Sequence, residues 1–92
     1  MRQAWLRKQF IDMVIDDVAS GTITIADATD TLQAFILGIS LKPRSIHEEA
    51  LAKAIVHGIL ELVGAGSMDK AAGSNYILRL ADLSKTGERL NF

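Results

Sequence analysis

Apolar residues recur along the chain at steps of three and four, and alternation at steps of two never lasts more than a few residues. Leu6, Phe10, Ile11, Val14, Ile15 and Val18 form one stripe of a helix predicted over Arg2 to Ala19. Gly21 supplies a residue that can turn left-handed and stop it. A second helix starts near Ile25, where Thr24 and Asp27 have the spacing of a capping box. Its apolar side is Ala28, Leu32, Phe35, Ile36 and Ile39, and Gly38 and Pro43 bracket its end. Thr22, Ile23, Thr24 and Ile25 alternate, but no second strand exists to pair with them. They read as the turn into helix two.

The third helix opens at Ser45, with Glu48 three residues on, and runs to about Val63. Gly64-Ala65-Gly66 ends it. The fourth begins near Ser67 or Ser74, because Gly73 inside a helix costs about 1 kcal/mol relative to alanine. It ends near Ser84. The segment 86–92 is polar except for Leu90 and Phe92, and is expected to be a frayed tail or one docked by those two residues. The pattern predicts an all-α fold: one compact three- or four-helix domain over residues 1–92. The short Ser40–Arg44 connection makes helices two and three an antiparallel hairpin.

Composition adds a constraint. The chain has 92 residues and 49 % hydrophobic side chains. A domain of this size buries only about 60–65 % of the surface its unfolded chain exposes. Some apolar residues are therefore expected at a subunit or partner interface, which predicts a homo-oligomer. Small residues mark where helices could approach closely: Ala50, Ala54 and Gly58 in helix three, and Ala34 and Gly38 in helix two. Two arrangements fit. The small stripes face each other inside one chain, or the helix-three stripe lies on a two-fold axis as a subunit seam flanked by Leu51, Ile55, Ile59 and Leu62. Under either, Gly58→Leu is expected to be severely disruptive.

Helix one carries Arg2, Arg7 and Lys8 near its start and Asp12, Asp16 and Asp17 toward its end. Both groups oppose the helix dipole, by about 0.3–1 kcal/mol for each well-placed charge. The acidic end is expected to pair with another helix or subunit, with Lys53 or Arg79 as candidate partners. The basic end, with Trp5 among its cations, is a candidate partner-binding site: Arg2, Trp5, Arg7 and Lys8.

Candidate chemistry is sparse. Net charge is −1 and cysteine is absent, which removes thiol catalysis, disulfides and zinc–thiolate sites. His47 and His57 lie ten residues apart, too far for a shared metal, and the His57–Glu61 step supplies only two ligands. Asp12 with Asp16, and Glu48 with Glu49, read as solvated or helix-starting acids. Gly64-Ala65-Gly66-Ser67-Met68-Asp69-Lys70 lacks the spacing and preceding strand of a phosphate loop. No catalytic, cofactor-binding or metal-binding residue is assigned, and an enzyme is not expected. No uncharged run approaches the ~20 residues of a membrane span. The start lacks an apolar secretory core, so a cytoplasmic location is expected.

Ala34-Phe35-Ile36-Leu37-Gly38-Ile39-Ser40 resembles the first half of a helix-turn-helix. The second half departs from it: Pro43 sits inside the start, Arg44 and His47 replace apolar positions, and Glu48 and Glu49 repel phosphate. The resemblance implies a DNA-binding regulator using Lys42 and Arg44 as an alternative. The main expectation is a non-enzymatic interaction or regulatory protein that binds another protein. Its size and type suit a small accessory protein of bacteria or their phages.

Overall fold

The computed structural model describes residues 2–38 and 45–86, with side chains over 6–38 and 45–82. Four helices follow one another: α1 (Arg2–Ser20), α2 (Ile25–Gly38), α3 (Ile46–Gly64) and α4 (Lys70–Thr86). No strand occurs among the described residues. The segment 87–92, with the expected tail residues Leu90 and Phe92, lies outside the described residues, as do Ile39 and Pro43.

Local chemistry sets the boundaries. Thr24 Oγ1 accepts from the Asp27 amide at 3.1 Å, and Ser45 Oγ from the Glu48 amide at 3.1 Å. After α1, Gly21 adopts φ +77° and the Thr22 amide donates to the Asp17 carbonyl at 2.8 Å. After α3 the same device falls on Gly66, also at φ +77°, with the Ser67 amide bound to the Leu62 carbonyl at 2.9 Å. Helix four therefore begins at Lys70, between the two expected starts, and keeps Gly73 in its first turns.

Two pairs of helices run in opposite directions, α2 with α3 and α1 with α4. Gln33 of α2 donates from Nε2 to the Glu49 carbonyl of α3 at 3.0 Å, and Asp30 faces Lys53 at 3.6 Å. Rising numbers on α2 meet falling numbers on α3, which is the antiparallel hairpin. Ser74 and Lys70 of α4 meet Asp12 and Asp16 of α1 in the same reversed order. One core joins all four helices: Ile11, Ile15, Leu32, Ile36, Leu60 and Ile77 are its largest fully buried apolar side chains.

The small residues do not join helices two and three inside the chain, the first of the two expected arrangements. Ala34, Gly38, Ala50 and Ala54 are exposed, and a Cβ added at Gly38 or Gly58 would meet nothing within 4 Å. The stripes of α2 and α3 thus do not face each other inside the chain. Hydrophobic matching turns Leu32, Ile36, Val56 and Leu60 inward instead, with Ala28 and Ala52 on the same inner faces. Close approach occurs at Gly73, where a Cβ would stand 2.7 Å from Val63 Cγ2 and 3.5 Å from Ile59 Cγ2. Valine is stiff at χ1 and cannot swing its methyl aside.

Two alanine substitutions should therefore move stability in opposite directions. Gly73→Ala is expected to lose about 1–3 kcal/mol to overpacking, despite its better helix propensity. Gly58→Ala, in dilute solution, should gain about 0.5–1 kcal/mol. Thermal melting checks both, since 1 kcal/mol shifts the midpoint by about 4–8 °C in a domain of this size. A stabilised Gly73→Ala would remove the close approach as the reason for that glycine.

Candidate functional site

The basic end of α1 divides into different surroundings. Successive helical residues point about 100° apart. Arg7 is half-buried, with its Nε buried and without a hydrogen-bond partner. Lys8 turns outward and binds Asp12 Oδ2 at 2.7 Å. Arg7 and Lys8 therefore do not form a single exposed basic face. The side chains of Arg2 and Trp5, and the whole of Lys42 and Arg44, lie outside the described residues.

The acidic end of α1 meets the start of α4. Asp12 accepts hydrogen bonds from Lys8 and from the buried Ser74 hydroxyl. Asp16 pairs with Lys70 at 3.0 Å. The expected partners are thus corrected: Lys70 takes the role, and Lys53 serves Asp30 of α2 instead. Antiparallel packing places the positive end of the α4 dipole beside carboxylates that the α1 dipole disfavours. An open cleft of about 470 Å³ follows this seam, lined by Lys8, Asp12, Asp16, Lys70, Ser74 and Asn75. Hydrogen bonds from Lys8 and then Ser74 hold the Asp12 carboxyl below its ordinary range, against the opposing effect of burial. A general acid or base works best with its pKa near the working pH. Asp12 is shifted the other way and acts as a clamp between helices.

Apolar side chains stay open on two flanks. On α1, Leu6 is 50 % and Met13 53 % exposed, on either side of Phe10, whose ring lies 4.8 Å from that of Phe35. On α3, Leu51, Ile55, Gly58 and Leu62 step by four, three and four along one line. Leu51, Ile55 and Gly58 are half-buried and Leu62 is 44 % exposed. Among the other expected seam residues, Ala50 and Ala54 are exposed beside this line. Ile59 is buried and belongs to the chain's own core, close to Gly73. Tyr76, one turn beyond Gly73 on α4, is 56 % exposed. Polar side chains in the middle of α3 have partners off this line: Lys53 pairs with Asp30, and His57 Nδ1 lies 2.8 Å from Glu61 Oε1.

Among the described residues, no group of three or more His, Cys, Asp or Glu side chains could hold a metal ion. No helix there is long and apolar enough to cross a membrane. Compared with protein families, curated proteins and solved structures, the chain matches none.

Sequence reasoning missed two features. The Asp12–Ser74 contact joins positions 62 residues apart, and spacing along one helix carries no trace of it. The open α1 flank was hidden because Leu6 and Phe10 share helical spacing with the core residues Ile11 and Val14.

The Asp12 clamp has a pH signature. Its folded-state pKa lies below the unfolded value, so its contribution is present above the unfolded pKa and is lost as pH falls through the folded one. Asp12→Asn should cost about 0.5–1 kcal/mol at pH 7, discounted for its partly exposed carboxylate. Urea melts of the two proteins should converge as the pH falls through the depressed folded-state pKa of Asp12. An undiminished gap in acid would assign the loss to something other than charge.

Proposed function

We propose that this chain is a non-enzymatic interaction protein that self-associates and presents its helical surface to another protein. One observation carries this reading. After the core is complete, the flanks of α1 and α3 still hold exposed Leu6, Met13 and Leu62, and Tyr76 of α4 is exposed as well. Large apolar side chains grouped at helical spacing on an otherwise charged surface are the usual mark of a binding face. The charged groups near them are satisfied locally, by Lys8–Asp12, Lys70–Asp16 and Lys53–Asp30 pairs. That leaves the driving force for association to apolar burial, about 25 cal/mol for each Å² removed from water.

Light scattering over a range of concentrations tests self-association, and a mass that rises above 10.0 kDa is expected. Capture from a lysate should retain a protein, and Leu6→Asp with Met13→Asp should weaken that capture if the α1 flank is the partner face. Salt should weaken neither interaction strongly, since charged pairs do not drive them. A mobility shift of duplex DNA that falls steeply with salt would instead support a nucleic-acid regulator.

A further inference from the structure

We infer that the α3 flank pairs with the same flank of a second copy, antiparallel about a two-fold axis, with Ile55 of each copy seated on Gly58 of the other. This rests on the self-association proposed above and specifies its geometry.

Three observations favour a second copy as the occupant. The first is spacing. Leu51, Ile55, Gly58 and Leu62 step by four, three and four, an order that reads the same in both directions. A two-fold axis lays such a line on itself in reverse, so Leu51 meets Leu62 and Ile55 meets Gly58, twice each. The same steps are those of a helix-pair seam. The second is shape. Nothing lies within 4 Å of the position a Gly58 Cβ would occupy, so the line holds a gap beside the bulk of Ile55. Each copy supplies both the knob and the gap, and a glycine there is otherwise unfavourable in the middle of a helix. The third is charge. Lys53 is paired with Asp30, and His57 and Glu61 contact each other, so these neighbouring polar side chains have partners within the chain. Leu51, Ile55, Gly58 and Leu62 themselves carry no charge, so an identical copy laid along the line brings no charge to bury against it.

The absence of cysteine makes the register directly readable. Ile55→Cys and Gly58→Cys proteins would be prepared separately, then oxidised alone and mixed. The antiparallel seam predicts a strong heterodimeric disulfide in the mixture and weak cross-linking of each protein alone. Gly58→Leu gives a second readout. It should shift the light-scattering mass to that of one chain while its circular dichroism and melting remain those of a folded protein. A disulfide formed by Ile55→Cys alone, with none favoured in the mixture, would overturn the antiparallel register. A dimer that persists in Gly58→Leu would overturn the seam and leave self-association through another face. A native chain that stays single at every concentration would overturn both.

Discussion

The contact between the α4 backbone at Gly73 and the side chains of Val63 and Ile59 sets much of the remaining geometry. It lets α4 lie against α3 without an intervening side chain. From there Ile77, Leu80 and Ala81 reach the shared core, and Ser74 comes within reach of α1. A side chain at position 73 would lift that helix and loosen both contacts. The glycine is unfavourable for its own helix and favourable for the packing of three. That conflict explains why propensity alone placed the start of α4 uncertainly: the local penalty was visible, and its compensation lies ten residues upstream on another helix.

The reversed charge order of α1 becomes reasonable once α4 is in place. Asp12 and Asp16 oppose their own helix dipole but lie beside the first turns of an antiparallel neighbour, where the dipole has the other sign. Lys70 and Ser74 add specific bonds to that general attraction. The seam is a mixture of one buried hydroxyl and more exposed ions, so its energy is modest. Its larger effect is on register. Sliding α4 along α1 by a turn would separate both pairs at once, whereas apolar side chains would find new neighbours.

Element positions were legible because caps and periodicity are local. Thr24, Ser45 and Gly21 act within a few residues of where they stand, and the structure places helix boundaries beside each. Tertiary placement was less legible. A row of small residues says that close approach is possible and does not say where. Ala50, Ala54 and Gly58 have helical spacing as regular as any core stripe, yet lie on the outer side of α3. Volume decides between them: Ala52, Val56, Leu60 and Val63 bury more apolar surface and claim the inner side. Likewise Arg7 and Lys8, adjacent in sequence, reach different surroundings, which a count of cations cannot reveal.

The same competition for the interior shapes the outer surface. A helix has one side and two flanks, and in a four-helix domain of this size only part of each flank is covered. On α3 the order of preference runs from Val56 and Leu60, fully inside, through half-buried Ile55, to exposed Leu62. Burial falls off across the helix while apolar character does not. Leu51, Ile55 and Leu62 thus stand in a line along the edge of that gradient, with open space at Gly58 between them.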